Sequence, residues 1–266
     1  MHIVKLYREY CNKLTKNIYL IIIVIKEKSR NYLKLFNKSG IAIFLDRPNR
    51  FIIIADLDGE KITCHCANTG RMGELLHKGV KLIIEKSDNP KRKTAYTVVA
   101  VFKGDLIVPI TSVRANNVVK ELIIPYLFNK PDIKSEVTYN KSRLDFLVKD
   151  NDDLTFIEVK SCTLFQGDLA IFPDAPTVRG VKHLNELEVS VNDGYKGMVI
   201  LVVFNPGAKK FSPNSITDPI FTETFKRVSE VIRIVPFRIS LDENGLTTIP
   251  DGDPILPIIY QGELDD

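Results

Sequence analysis

Three side chains near the middle of the chain have the types and the spacing for metal-assisted hydrolysis. Asp145 lies in RLDFLV, and Glu158 and Lys160 lie in TFIEVKS, with turn-forming residues 150–153 between the two stretches. Both stretches alternate apolar and polar residues, which predicts two strands joined by a hairpin. A two-residue period places Glu158 and Lys160 on one face, about 6–7 Å apart. In the first strand, the face opposite Asp145 is predicted to carry Leu144, Phe146 and Val148.

Two carboxylates and an ammonium group on one sheet face are costly to bury unless they pair or bind a metal. Mg²⁺ takes oxygen ligands and is commonly held by one or two carboxylates together with waters and a phosphate. We therefore predict a Mg²⁺ or Mn²⁺ site held by Asp145, Glu158 and the carbonyl of Val159. Lys160 would orient or help deprotonate the attacking water and offset charge at the scissile phosphate. The alternative interpretation is a half-exposed hairpin with an ordinary surface ion pair.

The elements around this hairpin predict two domains. Residues 35–112 contain short alternating stretches separated by turn residues, which predicts a small β-barrel, with the OB-fold as its commonest nucleic-acid-binding form. Residues 113–240 follow the order α-β-β-β-α-β with extra elements at the end, which predicts a mixed sheet flanked by helices. The fold class is therefore α/β (α+β). Residues 1–34 form a basic extension, and residues 241–266 form an acidic tail that we expect to pack loosely.

Seven motifs in order indicate a known family. They are RPNRF (47–51), NTGRM (68–72), SDNPKRKT (87–94), KSEV (134–137), SRLDF (142–146), IEVKS (157–161) and FPDAPTVRGVKHLNEL (172–187). An Asp followed one strand later by Glu-x-Lys resembles the PD-(D/E)XK nuclease superfamily. With these motifs, the chain from about 35 to 240 resembles the sugar fermentation stimulation protein A (SfsA) family. The resemblance implies an OB-like nucleic-acid-binding domain followed by a nuclease domain. The family name reflects an older regulatory assignment in sugar metabolism, so a regulator is a second function class.

The superfamily also places an acidic residue on the helix that precedes the sheet. Glu121 fits that position, whereas Glu136 lies on the first predicted strand of the sheet. Either residue could complete the catalytic site, and the sequence leaves the choice open. The literal Pro-Asp of the superfamily is replaced here by Leu144-Asp145, a common departure among its members.

Residues 177–191 are predicted to form an amphipathic helix. At about 100° per residue, the apolar arc consists of Val181, Leu184, Leu187 and Val191. The opposite arc consists of Arg179, Lys182, His183 and Glu186. Such an arc is usually solvated, but FPDAPT brings the helix start beside the strand with Glu158. We therefore predict that Arg179 and Lys182 contact nucleic acid, and rank His183 below them.

The predicted barrel contributes the other candidates for nucleic-acid binding. These are Arg47, Arg50, Phe51, Asn68, Arg71, Lys91, Arg92 and Lys93. Cations next to an aromatic ring suit phosphate contact and base stacking on an OB surface. None of these contacts identifies a base, so we expect little sequence specificity.

Composition sets limits on the class of protein. The 266 residues are 44% hydrophobic and 26% charged, as in soluble globular proteins. Four scattered cysteines indicate no disulfide framework, so we expect a cytoplasmic location. The net charge of +4 is unevenly distributed along the chain, so a nucleic-acid-binding surface must come from local basic patches. The apolar run IYLIIIVI (18–25) is too short to span a membrane; we favour a basic appendage over a membrane-surface anchor.

Together these observations predict a Mg²⁺- or Mn²⁺-dependent nuclease that hydrolyses phosphodiester bonds in DNA, with RNA left open as a substrate. The alternative is a non-catalytic DNA-binding regulatory protein in which the acidic site is only structural. Strand preference and oligomeric state stay open, a homodimer included.

Overall fold

The structure, a computed structural model, describes residues 32–68 and 70–260. The run IYLIIIVI and all but the last three residues of the predicted basic extension lie outside the described residues. Within the described part of the chain, no helix is both long enough and apolar enough to cross a membrane.

A short strand, β1 (Tyr32–Lys34), precedes a closed barrel. The barrel region contains β2 (Gly40–Asn49), β3 (Ile52–Leu57), β4 (Glu60–Cys66), β5 (Lys81–Lys86), β6 (Tyr96–Lys103) and β7 (Leu106–Pro109). The strand order is β4-β3-β2-β5-β6-β7, and β4 also pairs in parallel with β6. This last pairing closes β2–β6 into a five-stranded barrel, so the predicted OB-like barrel is confirmed. Asp58 and Gly59 join β3 to β4 with positive φ at both residues, the geometry of a tight hairpin turn.

A helical run follows the barrel. It consists of α1 (Ser112–Val118), a π-helical segment (Val119–Ile123) and α2 (Ile124–Leu127). Pro125, near the start of α2, has no backbone N–H to donate, so a regular α-helical ladder cannot continue through it.

The remaining elements build a second sheet and its helices. The strands of the hairpin region are β8 (Asp132–Tyr139), β9 (Ser142–Asp150), β10 (Asp153–Cys162), β11 (Leu164–Gln166) and β12 (Leu169–Phe172). They are followed by α3 (Val178–Asn192), β13 (Lys196–Val203), β14 (Lys210–Pro213), α4 (Pro219–Val228), β15 (Arg233–Arg238), β16 (Ser240–Leu241) and β17 (Leu246–Thr248).

The main sheet has the order β15-β13-β10-β9-β8, and the small sheets are β11-β12-β14 and β1-β17-β16. Strands β8, β9 and β10 are antiparallel, whereas β10, β13 and β15 are parallel. The predicted mixed sheet is therefore confirmed. The residue limits set for the two domains stay predictions.

Both faces of the main sheet are covered. On one face, Ile157 and Phe146 pack in a core shared with Val118 of the helical run and Val99 of the barrel. On the other face, Phe156 packs in a second core with residues of α3 and α4. Strand β10 is thus central and buried, as expected for a strand that must hold polar side chains in a fixed orientation.

The prediction that Leu144, Phe146 and Val148 share one face is wrong at Leu144. Phe146 and Val148 pack in the first core, whereas Leu144 packs in the second. Opposite this point in β8, Glu136 has a φ of 55°, and the pairing of β8 with β9 skips Glu136 and Asp145. The side-chain alternation of β9 thus changes at this irregular pair.

The expectation of loose packing after residue 240 is wrong for the described part of the tail. Leu241, Thr247 and Leu256 are buried. Arg238 donates hydrogen bonds to the carbonyls of Asp251 and Asp253, at 2.9 and 3.1 Å. Apolar residues between the acidic ones anchor this segment to the domain, a contact that charge composition does not reveal.

Candidate active site

A cleft of about 390 Å³ opens where β9 and β10 meet α1, α3 and the β4–β5 loop. Its lining includes Glu136, Asp145, Glu158, Val159, Lys160 and Arg179. The structure therefore brings together the two acids and the lysine that the hairpin pattern singled out.

Asp145 is held by one hydrogen bond at each carboxylate oxygen. Asn116 Nδ2 donates to Oδ1, and the main-chain N–H of Val159 donates to Oδ2, both at 2.8 Å. Burial and, after it, the negative charge of Glu158 raise the pKa of Asp145 above its usual value. The two hydrogen bonds fix its orientation, and a nearby cation would relieve the cost of its ionisation.

Glu158 is only 3% exposed, and its two oxygens differ in their surroundings. Oε1 accepts a hydrogen bond from Lys160 Nζ at 2.7 Å and contacts His183 Nδ1. Burial alone would raise the pKa of Glu158, but the hydrogen bond with His183 and the charge of Lys160 lower it below its usual value. Oε2 is buried and has no hydrogen-bond partner among the described residues. Glu158 therefore has one oxygen with hydrogen-bond partners and one oxygen without a partner among the described residues.

These residues fit a divalent cation that prefers oxygen ligands. Oε2 of Glu158 has no hydrogen-bond donor among the described residues, and burial together with the charge of Glu158 raises the pKa of Asp145, so a cation at this place would interact favourably with both side chains. Across residues 32–68 and 70–260, no group of three or more His, Cys, Asp or Glu side chains is arranged to hold a metal. Mg²⁺ needs no such group, because one or two carboxylates with waters and a substrate phosphate suffice. Val159 lines the same cleft.

The two acids proposed to complete the catalytic site are placed differently. Glu136 lines the cleft and lies 3.5 Å from Arg143. Glu121 is exposed on the π-helical segment and is not among the lining residues. The helical residue that contacts Asp145 is instead Asn116, which the sequence reasoning missed because a single Asn near a helix start carries no specific signal. A third carboxylate stays a prediction, and the placement favours Glu136.

The start of α3 is anchored so that its first turn reaches the cleft. The Thr177 hydroxyl accepts a hydrogen bond from the Gly180 N–H at 3.0 Å, and the Thr177 N–H donates to Asp218 Oδ2 at 2.7 Å. A Cβ atom at Gly180 would lie 2.7 Å from the Thr177 side chain and 3.2 Å from Phe221 of α4. Glycine therefore allows this close approach. Arg179 then lines the cleft.

His183 does not lie on the solvated face that the helix pattern predicts. It is 5% exposed and contacts Glu158. The buried face of α3 comprises Gly180, His183, Leu184, Leu187 and Ser190, so it is rotated from the predicted arc. Lys182 is exposed, donates to the Lys141 carbonyl at 3.3 Å and lies 3.7 Å from Glu186. It is not among the residues that line the cleft.

In the barrel, the Arg47 side chain is held by hydrogen bonds to main-chain carbonyls. Its guanidinium donates to the carbonyls of Asn68 and Gly70 at 2.8 Å, of Arg71 at 2.9 Å and of Arg50 at 3.1 Å. Three of these carbonyls belong to the β4–β5 loop and that of Arg50 belongs to the β2–β3 turn, so four of the five N–H donors of Arg47 hold these two segments together.

The other barrel candidates are accessible. Phe51 is 49% exposed, and the Arg50 guanidinium lies 5.5 Å from the centre of its ring. Asn68 lines the cleft. The remaining exposed cations are Arg71, Lys91, Arg92 and Lys93.

Comparisons with known proteins match both parts of the chain. Residues 45–110 match the model of the SfsA N-terminal OB domain, and residues 113–245 match that of the sugar fermentation stimulation protein RE domain. A sugar fermentation stimulation protein homolog of Clostridium beijerinckii is 41% identical over 216 residues, which is 80% of this chain and 96% of the relative. The homolog of Ruminiclostridium cellulolyticum is 43% identical over 186 residues, which is 69% of this chain and 82% of the relative.

A solved structure is also similar. Pyrococcus furiosus SfsA in complex with Ca²⁺ superposes with a TM-score of 0.74 at 26% sequence identity, covering 85% of this chain and 99% of that one.

Proposed function

The chain belongs to the sugar fermentation stimulation protein family, and from that premise we propose that it is a metal-dependent nuclease that hydrolyses phosphodiester bonds in DNA or RNA. One observation carries the proposal. Asp145 and Glu158 lie on neighbouring strands and line one cleft together with Lys160. The Ca²⁺ in the similar Pyrococcus furiosus structure supports a divalent metal in this fold.

The carboxylates of Asp145 and Glu158 and the carbonyl of Val159 would hold Mg²⁺ or Mn²⁺. When bound, the ion would supply a water of lowered pKa and would stabilise charge on the phosphate. The hydrogen bonds from Asn116 and the Val159 N–H keep Asp145 oriented before substrate arrives, so little reorganisation is needed.

Lys160 and Arg179 act on the phosphate in this proposal. The Lys160 ammonium lines the cleft and is paired with Glu158, so it is held close to the reacting centre. There it offsets the negative charge that develops on the phosphate and helps to orient the attacking water. Arg179 approaches from α3, and its guanidinium suits a second phosphate oxygen.

The barrel would bind the nucleic acid away from the cleft. Phe51 offers an exposed ring for base stacking, and Arg50 and the loop Lys91–Arg92–Lys93 offer cations for phosphates. Such contacts do not distinguish bases, so we propose weak sequence specificity. A cytoplasmic location is proposed on the cysteine content alone.

The test uses purified wild type, Asp145→Ala and Lys160→Ala with single- and double-stranded DNA and RNA, each with Mg²⁺, Mn²⁺ or EDTA. We expect metal-dependent cleavage by the wild type that EDTA abolishes and both substitutions remove. Binding without metal-dependent cleavage would reject the nuclease and support the alternative, a DNA-binding regulator. Cleavage that persists in both variants would identify a contaminating enzyme and would also reject the proposal.

A further inference from the structure

His183 is a buried side chain with two polar contacts and no role so far in the proposed reaction. Its Nδ1 contacts Glu158 Oε1, and its Nε2 lies 3.4 Å from Arg179 Nε. It therefore lies between an arginine that lines the cleft and a carboxylate that lines the cleft.

These contacts define the tautomer of the imidazole. The Nε of an arginine always carries a hydrogen and can only donate. His183 Nε2 must therefore accept from Arg179, which places the single proton of a neutral imidazole on Nδ1. Nδ1 then donates to Glu158 Oε1.

The consequence is a carboxylate with fixed orientation. Oε1 of Glu158 receives two donors, Lys160 Nζ at 2.7 Å and His183 Nδ1, whereas the buried Oε2 receives none among the described residues. We infer that His183 is a positioning residue that holds Glu158 so that Oε2 is presented to a divalent cation, and that it links this carboxylate to Arg179. The inference rests on the proposed function, because it assigns a role within the same site.

Two substitutions of His183 separate this role from a general packing role. An asparagine can place its amide nitrogen near the position of Nδ1, whereas a glutamine places its amide near the position of Nε2. His183→Asn can therefore keep the donor to Glu158, and His183→Gln loses it while filling more of the same space. Outer partners of metal ligands typically change metal affinity by about 10- to 100-fold when they are lost.

The experiment is a calorimetric titration with Mn²⁺ in the absence of nucleic acid. It compares wild type, His183→Asn, His183→Gln and Asp145→Asn. His77, which is exposed and outside the cleft lining, provides His77→Asn and His77→Gln as matched controls for the loss of an imidazole. We expect His183→Asn to stay close to wild type and His183→Gln to bind about 10- to 100-fold more weakly. Both His77 variants should match wild type.

The outcomes separate this inference from the proposed function. Equal Mn²⁺ affinities of His183→Asn and His183→Gln would overturn the role of His183 alone. If wild type does not bind Mn²⁺, or if Asp145→Asn binds it as tightly as wild type, the metal site is overturned and this inference with it. If a variant fails to fold, a measurement on the wild-type protein still tests the inference. The ¹⁵N spectrum of histidine-labelled, metal-free wild type should show His183 protonated at Nδ1 and unprotonated at Nε2, and the reverse pattern would also overturn the inference.

Discussion

The main-chain N–H of Val159 donates a hydrogen bond to Asp145 Oδ2 at 2.8 Å. The β9–β10 ladder has its last pair at Phe146 and Ile157, so beyond that point the Asp145 side chain takes the place of a backbone acceptor. One carboxylate thus completes the backbone hydrogen bonding of β10 and also faces the cleft. A substitution that removes only the charge of Asp145 therefore tests something different from one that also removes its hydrogen-bond acceptor.

Asp145→Asn should keep the fold and lose the metal. The amide oxygen can still accept from one of the two donors, whereas Asp145→Ala would leave the Val159 N–H unsatisfied at a cost of about 1–3 kcal/mol. At a free Mn²⁺ concentration of 100 times Kd, binding should stabilise wild type by about 2.7 kcal/mol. Urea unfolding with Mn²⁺ and with EDTA measures this. Equal Mn²⁺ stabilisation of Asp145→Asn would show that Asp145 is not a ligand.

Glu158 should make the stability of the metal-free protein depend on acidic pH. Burial opposes its ionisation, but His183 and Lys160 lower its pKa below 4.5. A lowered pKa means that ionised Glu158 stabilises the fold above the pKa of the unfolded chain, and that this is lost as pH falls through the folded pKa. We expect Glu158→Gln to cost about 1–3 kcal/mol at pH 7, with a smaller difference from wild type below pH 4.5. Urea unfolding between pH 7 and pH 3 measures it, and a difference independent of pH would contradict the assignment.

Lys160 should matter for cleavage and not for metal affinity. Its ammonium shares Glu158 Oε1 with His183, so its loss leaves the carboxylates in place and removes a positive neighbour of the cation. For Lys160→Met we expect cleavage to fall on the order of 10²- to 10³-fold, with Mn²⁺ affinity unchanged or higher. Single-turnover cleavage and Mn²⁺ titration measured together test this. A parallel loss of Mn²⁺ affinity would mean that Lys160 organises the metal site.

The same conservative change should lower the free energy of unfolding at Arg47 and leave it unchanged at Arg50. Arg47 donates to three carbonyls of the β4–β5 loop and one of the β2–β3 turn, and a lysine cannot reproduce that planar set of donors. We expect Arg47→Lys to lower the free energy of unfolding by about 2 kcal/mol or more. Arg50→Lys, at an exposed position, should leave it unchanged and serves as the control. Equal stabilities of the two variants would remove the structural role given to Arg47.

Local patterns were enough to predict the strands of the hairpin and two acids that line the cleft, Asp145 and Glu158. Strand alternation depends only on neighbouring residues, so the stretch 143–161 indicated both the hairpin and the common face of Glu158 and Lys160. The barrel followed from short alternating stretches and turn residues for the same reason. The turn at Asp58 and Gly59 is one case, since both residues adopt the positive φ that such turns require.

Features that depend on contacts between distant segments could not be predicted in this way. His183 is buried because α3 packs against the strand that carries Glu158, and helical periodicity alone placed it on a solvated arc. Leu144 changes sides where the pairing of β8 with β9 skips Glu136 and Asp145, an irregularity that the pattern of one strand does not show. Asn116 is a partner of Asp145 because the fold brings α1 beside β9, two elements that lie far apart in the sequence.

In the proposed site, Asp145 and Glu158 share one divalent cation. The most direct measurement is anomalous diffraction from crystals of wild type and Asp145→Asn, both soaked in Mn²⁺. We expect a Mn²⁺ peak in wild type bound by oxygens of both carboxylates, and no peak at that place in Asp145→Asn. A wild-type cleft without Mn²⁺, or a peak that persists unchanged in Asp145→Asn, would contradict it.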